Sequence, residues 1–296
     1  MYFGLSEDQV FFQDNVRKFL EDQAPLDAIR KIAEGNDSSS KDELYQGLIN
    51  LGINNLLIPE DNGGLGLDLL FAVAISQSLG AGIATLPFIG PYVMAPIAIK
   101  HAANEMQKNT LFEGMVNNSI NFSIGFSEYF GSRDSSGLTF SQNKVSGKTL
   151  FVLDGDYASH VMLCNKDGQI GVVSLDSVGV ETINLKTVDK TRMYQEMNFD
   201  NTPIEILENS LTSSNAIELS IDAGRIVAAA DSIGASQYMI DKAIEYSKER
   251  KQFNRVIGSF QAVKHMCAEM AADLEPCYSL VWHAAHSFDN HEADSR

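Results

Sequence analysis

The spacing between apolar residues changes twice along this chain of 296 residues. From residue 5 to about 115 apolar residues recur every three or four positions, as Phe12, Val16 and Phe19 do, which is the interval of one helix face. From about 118 to 208 they alternate with polar residues, as in "SINFSIGF", and from Asn215 the helical interval returns. Apolar residues spaced for a helix would lie partly on the solvent face of a strand, and apolar residues spaced for a strand would lie partly on the solvent face of a helix. The pattern therefore predicts a mixed α and β fold in the order helical, β, helical.

Capping and turn residues add detail to these zones. Ser6 with Gln9 is a capping-box pair, which predicts a helix start. Asp167 and Gly168 lie between two short apolar runs, which predicts a β-hairpin. We predict an N-terminal all-α domain (residues 1–117), a middle β domain (118–208) that forms a small antiparallel barrel or sandwich, and a C-terminal α-helical domain (209–296).

The charge balance limits the partners of the chain. It carries 39 acidic and 22 basic residues, a formal net charge of −17, so it lacks the broad basic face that nucleic-acid binding requires. Its longest apolar stretch is interrupted by polar residues, Gly and Pro, and its first residues do not resemble a signal peptide or presequence. We expect a cytoplasmic protein that binds neither nucleic acid nor membrane. The three cysteines have no metal-ligand spacing, so we expect reduced, buried thiols and no metal site.

A local excess of positive charge stands out in this acidic chain. The stretch "SKERKQFNRVIGSFQAVKH" places Lys248, Arg250, Lys251 and Arg255 within eight residues. One interpretation is a binding site for an anionic ligand. The other is a helix C-terminus, where cations interact favourably with the negative end of the helix dipole. The sequence of this stretch leaves both interpretations open.

Three stretches, in this order along the chain, resemble one known family. They are "LGINNLLIPEDNGGLGLD", "DKTRMYQEMNFDNTPI" and "DAGRIVAAADSIGASQYMIDKAIEYSKERKQFNRVIGSFQAVKHMCAEM". Together they resemble the acyl-CoA dehydrogenase family over nearly the whole chain. The resemblance implies an N-terminal helical domain, a central antiparallel β-barrel or sandwich and a C-terminal helical bundle. We expect that bundle to be incomplete in this chain.

The resemblance also implies FAD as the cofactor, bound between subunits. Arg250 would contact the pyrophosphate, because a guanidinium pairs with two phosphate oxygens and stays charged. Asn254 replaces a usual glycine, and asparagine tolerates the left-handed backbone of that turn. The implied cofactor-binding residues are Arg250, Gln252, Phe253 and Gln261 in one segment, and Ser127, Phe151 and Val152 in the β domain.

The reaction implied by the resemblance is α,β-dehydrogenation of an acyl-CoA thioester, with an electron-transfer flavoprotein as electron acceptor. Asp222 and Arg225 match family residues beside the acyl-CoA, although their spacing is also that of an ordinary helical ion pair. A carboxylate must remove the α-proton. The common family position for it lies beyond the last residue here, the alternative position holds Gly224, and Glu218 is a poor substitute. No catalytic residue is assigned.

Two segments of the β domain differ from the family pattern. "SEYFGSRD" places bulky Tyr129 and Phe130 where the family has small residues, and "FVLDG" places Leu153 where the family has a threonine that serves the flavin. These differences leave two hypotheses. The chain is a subunit of a flavin-dependent dehydrogenase that works as a homo-oligomer or, more consistently with the altered β domain, with a partner chain. Alternatively, it is a catalytically inactive structural or CoA-binding subunit.

Overall fold

The computed structural model describes residues 4–131, 133, 136–155, 157–212 and 215–290. These residues form two compact units. The described residues of the first unit lie within 1–29, 69–84 and 226–296, and those of the second lie within 30–68 and 85–225. The order helical, β, helical along the chain is the one predicted, whereas the three domain boundaries stay a prediction.

The described helices and strands have the following bounds. The α-helices are α1 (Glu7–Gln23), α2 (Leu26–Ala33), α3 (Ser38–Asn50), α4 (Leu69–Ala81), α5 (Ala95–Ala102), α6 (Glu105–Val116), α7 (Ala216–Glu249) and α8 (Gln261–Asp289). The strands are β1 (Phe122–Gly125), β2 (Gly137–Ser141), β3 (Lys144–Leu153), β4 (His160–Cys164), β5 (Ile170–Ser174), β6 (Val180–Asn184), β7 (Tyr194–Pro203), β8 (Glu205–Ile206), β9 (Lys251–Gln252) and β10 (Arg255–Val256). A π-helix (Ile89–Met94) precedes α5, and short 3-10 helices include Ser127–Phe130 and Ile257–Ser259.

The capping and turn residues identified in the sequence form the helix start and the hairpin that they predict. The Ser6 side chain accepts a hydrogen bond from the Gln9 backbone N–H at 3.2 Å, and the Gln9 side chain accepts one from the Ser6 N–H at 2.8 Å. This capping box starts α1. Asp167 and Gly168 lie in the hairpin between β4 and β5, where Gly168 has a φ of +83° that a residue with a Cβ rarely adopts.

The second unit contains one large sheet, in the order β6-β7-β3-β1-β4-β5-β8, with β2 paired to β3. The sheet was predicted to be antiparallel, but β1 and β4 are parallel. The reason is topological: the chain leaves β1, returns antiparallel to it as β3, and reverses once more to form β4. The central domain is therefore a mixed sheet.

Both faces of the central strands are buried. The alternation around Phe122 predicted a half-buried strand, but all four residues of β1 are buried. Phe122 and Ile124 pack with Phe112 of α6 on one face. On the other face a Cβ at Gly125 would lie 3.4 Å from the Val152 side chain. The polar positions of β1 therefore face a second apolar cluster instead of solvent.

The helices α4 and α7 of the first unit make backbone-to-backbone contact at two glycines. A Cβ at Gly80 of α4 would lie 2.0 Å from the Asp231 carbonyl oxygen, and one at Gly234 of α7 would lie 1.9 Å from the Gln77 carbonyl oxygen. Ser76 adds a hydrogen bond from its hydroxyl to the Val227 carbonyl at 2.9 Å. Only glycine permits this close approach.

The helix α8 is largely exposed over its first half. Met266 is 57% exposed and Met270 is half-buried, whereas Leu274 is buried. The expectation of buried thiols holds for Cys164, where burial raises the pKa to about 12, but Cys267 and Cys277 of α8 are partly exposed. Across the ranges described above, no helix has the length and hydropathy of a membrane span.

The glycine contact generates a stability prediction. Gly234→Ala gains up to about 1 kcal/mol in helix propensity. The new methyl group meets a backbone carbonyl that cannot move independently, so we expect a net loss of about 1–3 kcal/mol in the free energy of unfolding, measured by urea denaturation.

Gly224→Ala is the matched control in the same helix. Its methyl group would meet the Met94 side chain, whose nearest atom lies 2.8 Å away. Because this contact involves a flexible thioether side chain and no backbone atom, we expect a clearly smaller loss than in Gly234→Ala. Equal losses in the two variants would contradict the assigned role of the α4–α7 contact.

Candidate functional site

The residues singled out in the sequence fall into two groups, one in each compact unit. Arg250, Gln252, Phe253 and Gln261 follow α7 in the first unit. Ser127, Phe151, Val152, Asp222 and Arg225 belong to the second unit. We describe each group separately.

The first group is built around a tight hairpin of two short strands, β9 and β10. Phe253 and Asn254 form its turn with φ values of +50° and +60°. Two successive positive φ values are characteristic of the two-residue turn that matches strand twist. The expectation that Asn254 can replace a glycine in left-handed backbone agrees with its conformation. We call residues 250–256 the basic hairpin.

Local contacts hold the basic hairpin rigid. The Ile257 N–H donates to the Arg250 carbonyl at 2.8 Å. The Arg255 guanidinium lies 3.9 Å from the centre of the Phe260 ring, and the rings of Phe253 and Phe260 meet edge to face with centres 6.2 Å apart. Phe253 is nevertheless 87% exposed. The turn therefore presents a large aromatic side chain to solvent on a fixed backbone.

The cations of this segment differ in their partners. The Arg255 guanidinium makes a cation–π contact with the Phe260 ring. Lys248 lies in the last turn of α7, where its positive charge interacts favourably with the helix dipole. Arg250 follows that helix directly and is exposed. Within the described ranges, no side chain or backbone group accepts a hydrogen bond from its guanidinium. Gln261, the first residue of α8, is also exposed.

The second group includes one face at the start of α7. Asp222 and Arg225 form an ion pair with a separation of 3.0 Å, in which Asp222 is mostly buried and the Arg225 side chain is 64% exposed. The Arg225 guanidinium also lies 5.4 Å from the centre of the Phe130 ring. One turn earlier, the Tyr129 hydroxyl donates to Glu218 at 3.2 Å. The 3-10 helix Ser127–Phe130 thus packs on this face.

The position of Gly224 on α7 has no room for a longer side chain. A Cβ there would lie 2.8 Å from the Met94 sulfur atom. The adjacent turn is fixed because the Ser220 hydroxyl donates to the Met94 carbonyl at 2.8 Å. A carboxylate at position 224 would therefore require Met94 to move.

The β-domain residues have different environments. Val152 is fully buried in an apolar cluster with Val145 and Met197, so its side chain packs in the core. Phe151 is 51% exposed because a bulge between Thr149 and Val152 and a φ of +55° turn it outward.

The polar groups nearby already have partners. The Ser127 hydroxyl donates to the Leu150 carbonyl at 2.6 Å. Leu153 packs against the apolar cluster around Phe122. Of the predicted "SEYFGSRD" loop, Ser132 and Asp134 lie outside the described residues.

Comparison with protein families identifies the fold. A model of the acyl-CoA dehydrogenase N-terminal domain matches residues 6–119, and one of the acyl-CoA dehydrogenase C-terminal domain matches residues 214–296. The chain belongs to the acyl-CoA dehydrogenase family. These two domain matches confirm the resemblance stated from the sequence motifs. Members of this family are flavoproteins and oxidoreductases.

Individual relatives in the family span most of the chain. The caffeyl-CoA reductase-Etf complex subunit CarC of Acetobacterium woodii is 26% identical over an alignment of 315 positions, gaps included, that covers 98% of this chain and 81% of CarC. The structure of butyryl-CoA dehydrogenase from Megasphaera elsdenii has a TM-score of 0.84 and 20% identity, over 100% of this chain and 83% of that one. The ChsE4-ChsE5 complex from Mycobacterium tuberculosis gives a TM-score of 0.84 and 19% identity, over 97% and 79% of the two chains. The two structures confirm the predicted fold class.

In this acyl-CoA dehydrogenase fold, tertiary structure reveals two contacts that the motifs did not. The hydrogen bond between Tyr129 and Glu218 joins residues 89 positions apart, and Met94 fills the space beside Gly224. The spacing of Glu218, Asp222 and Arg225 is a signal that these three share a helix face. No sequence signal showed that Tyr129 and Phe130 pack on that face.

We therefore predict a measurable role for the Tyr129 hydroxyl. Tyr129→Phe removes its hydrogen bond to the partly buried Glu218 and should lower the free energy of unfolding by about 0.5–1.5 kcal/mol in urea denaturation. Tyr246→Phe is the control, because the Tyr246 side chain is 58% exposed and should contribute nothing comparable. Unchanged stability in Tyr129→Phe would contradict the assigned contact.

Proposed function

We propose that this chain is a subunit of a flavin-dependent acyl-CoA dehydrogenase and that its basic hairpin binds the pyrophosphate of FAD. The flavin ring of that FAD would be held by the β domain of a partner chain. The reaction is α,β-dehydrogenation of an acyl-CoA thioester. The observation that carries this proposal is Arg250, an exposed guanidinium on a rigid turn with no acceptor among the described residues.

The basic hairpin has the chemistry to hold a pyrophosphate. An arginine forms charge-assisted, bidentate hydrogen bonds to phosphate oxygens, and a fixed backbone reduces the entropy lost on binding. Gln252 and Gln261 are exposed beside it and offer further donors. The exposed Phe253 ring provides an apolar surface for the organic part of the cofactor. These four residues fit the role that the family resemblance implies.

The β domain of this chain fits the flavin ring less well. Phe151 is exposed and is able to contact a ring system, but Val152 is buried in the core and the Ser127 hydroxyl is bonded to Leu150. A hydroxyl with an internal acceptor is not available as a donor to a ligand unless that bond breaks. This asymmetry supports a shared site in which a partner chain holds the flavin ring.

The α7 face of the second unit supports a role for Asp222 and Arg225 in acyl-CoA binding. The guanidinium of Arg225 is oriented by Asp222 and by the Phe130 ring while most of it stays accessible. An accessible, oriented cation attracts the phosphates of CoA. Tyr129 and Phe130 narrow the same face, so we expect them to limit which acyl-CoA thioesters fit.

Bound FAD supplies the acceptor for the β-hydride of the substrate. The α-proton must go to a base, and we assign that role to no residue of this chain. Gly224 has no side chain, and Met94 occupies the space beside it. Glu218 accepts a hydrogen bond from the Tyr129 hydroxyl, so we assign it the role of positioning Tyr129 against α7.

The relatives suggest the kinds of partner. CarC is named as a subunit of a complex with Etf, and ChsE4-ChsE5 is named as a complex. By analogy we propose an electron-transfer flavoprotein as electron acceptor and a second dehydrogenase-like chain as oligomeric partner. The cytoplasmic location expected from the sequence stays a prediction.

The test measures the flavin content of the purified protein, alone and co-expressed with any dehydrogenase-like chain that is encoded beside it. Absorbance of bound oxidised flavin relative to protein gives the occupancy. We expect substantial occupancy only in the co-purified assembly. Arg250→Ala should lower that occupancy at least tenfold at micromolar protein, because the pyrophosphate loses a bidentate partner.

Lys248→Ala is the matched control at the same helix end. If the cations serve only the helix dipole, Arg250→Ala and Lys248→Ala will lower the melting temperature by similar small amounts and leave flavin content unchanged. That result would refute the role of Arg250. Flavin bound by this chain alone would favour a homo-oligomer, and no flavin in any assembly would favour the catalytically inactive CoA-binding subunit.

A further inference from the structure

The π-helix that precedes α5 brings Met94 against the start of α7. The Ala95 N–H donates to the carbonyl of Gly90, five residues earlier, which is the bond that defines a π turn. The cause lies in the sequence, because Pro96 has no N–H and in an α-helix its ring would clash with the Tyr92 carbonyl. The wider turn avoids that clash. Single π turns of this kind are frequent at functional sites.

Buried hydrogen bonds to three other segments hold the π-helix in place. Near its start, the carboxylate of Asp154, which follows β3, accepts the backbone N–H of the second π-helix residue at 2.7 Å. In its middle, the Tyr92 hydroxyl lies 2.8 Å from the hydroxyl of Tyr45 on α3. At its end, the Met94 carbonyl accepts a hydrogen bond from the Ser220 hydroxyl of α7 at 2.8 Å. A shift of the π-helix therefore breaks at least one buried hydrogen bond.

The position of Tyr45 on α3 is itself fixed. Its ring stacks on the Tyr157 ring, with centres 4.0 Å apart and planes inclined by 2°. The Tyr157 hydroxyl donates to Asp42, one turn earlier on α3, at 2.5 Å. Burial raises the pKa of both the Tyr45 and the Tyr92 hydroxyl, so both stay protonated and the bond between them is neutral. Both tyrosines are buried, so solvent does not offer either hydroxyl another partner.

Met94 connects this arrangement to the α7 face. Its sulfur atom would lie 2.8 Å from a Cβ at Gly224, so its side chain fills the space that a longer residue would need there. Gly224 lies between Asp222 and Arg225, the two residues proposed above to bind acyl-CoA. A ligand that lies along α7 at Gly224 therefore meets the Met94 side chain.

A thioether side chain limits the width of a neighbouring site only if its backbone is held. Methionine has three rotatable bonds and fills irregular gaps, so it yields easily when its backbone is free to shift. Here the backbone of Met94 is bonded to Ser220, and the π-helix that carries it is bonded to Tyr45 and Asp154. Of these partners, Tyr45 is the one that bonds a side chain of the π-helix.

We propose that Tyr45 is a positioning residue for the choice of acyl group: its hydrogen bond to Tyr92 holds Met94 against Gly224, and Met94 excludes acyl groups with a methyl branch. This inference rests on the proposed binding of acyl-CoA at the α7 face. Tyr45 acts through the π-helix and touches no ligand. An unbranched acyl group is narrower and passes Met94, whereas a branched one requires Met94 to move.

Isothermal titration calorimetry of the purified chain with butyryl-CoA and isobutyryl-CoA tests the proposal. The two thioesters have the same charge and the same number of carbon atoms, so the ratio of their dissociation constants reports the shape of the acyl site. We expect the wild type to bind butyryl-CoA at least fivefold more tightly, because room for one methyl group changes affinity by roughly 10–200-fold. Met94→Ala should lower this ratio at least fivefold. Tyr45→Phe leaves the Tyr92 hydroxyl unpaired, so the π-helix shifts and the ratio should fall at least threefold.

Ser146→Ala is the matched control for a loss of stability alone. It removes the hydrogen bond from the Asn201 N–H to the Ser146 hydroxyl at 3.1 Å, near the start of β3 and far along the strand from Asp154. It should lower the free energy of unfolding, as Tyr45→Phe does, and leave the affinity ratio unchanged. Amide hydrogen exchange over residues 89–94 gives a second readout, which Tyr45→Phe should accelerate at least threefold and Ser146→Ala should not.

A wild-type ratio in Tyr45→Phe, with a lowered ratio in Met94→Ala, would overturn the role of Tyr45. An unchanged ratio in both variants, or equal affinity of the wild type for the two thioesters, would overturn the role of Met94 as well. Arg225→Ala separates these results from failure of the proposed acyl-CoA site, because loss of a phosphate partner should weaken both thioesters alike. If Arg225→Ala binds both like the wild type, or if neither thioester binds at millimolar concentration, the acyl-CoA role of the α7 face is refuted together with this inference.

Discussion

The contact between α4 and α7 at two glycines is the constraint on which the first unit depends. Each glycine faces a backbone carbonyl of the other helix, so the two backbones touch without intervening side chains. Such a contact fixes the rotation of α7 about its axis, since any turn of the helix would bring a Cβ against the carbonyl. The basic hairpin follows the last turn of α7 directly and inherits that fixed orientation. Rigid placement is what a cofactor-binding turn requires.

Several buried polar groups of the β domain already have hydrogen-bond partners within the chain. Glu128 is 2% exposed and accepts a hydrogen bond from the Ser136 hydroxyl at 3.1 Å. Asp154 is 3% exposed and accepts a hydrogen bond at 2.7 Å from the N–H of Gly90, which lies at the start of the π-helix. These bonds stabilise the fold, but they also remove the groups from ligand binding. The exposed Arg250 contrasts with this pattern, which is why the flavin proposal rests on it.

Local charge distinguishes the basic hairpin from the rest of the chain. The chain is strongly acidic, yet its basic hairpin contains Arg250, Lys251 and Arg255. Anionic ligands are repelled by an acidic surface and attracted to a local cluster of cations, which favours specific binding over nonspecific adsorption. The pyrophosphate of FAD is an anionic group of the kind that such a cluster attracts.

Local sequence signals are enough to predict the order of helical and β zones, the capping box at Ser6 and the hairpin at Gly168, and they contain the family motifs. These features depend on residues close together in the chain, whose periodicity and backbone preferences act locally. Long-range packing is responsible for the parallel pairing of β1 with β4, the burial of Val152, and the contacts of Met94 with Gly224 and of Tyr129 with Glu218. These join distant segments, and an alternating pattern cannot show whether the second face of a strand meets solvent or another apolar layer. Which binding residues remain available to a ligand was likewise decided only by packing, because availability depends on the partners that folding brings to each side chain.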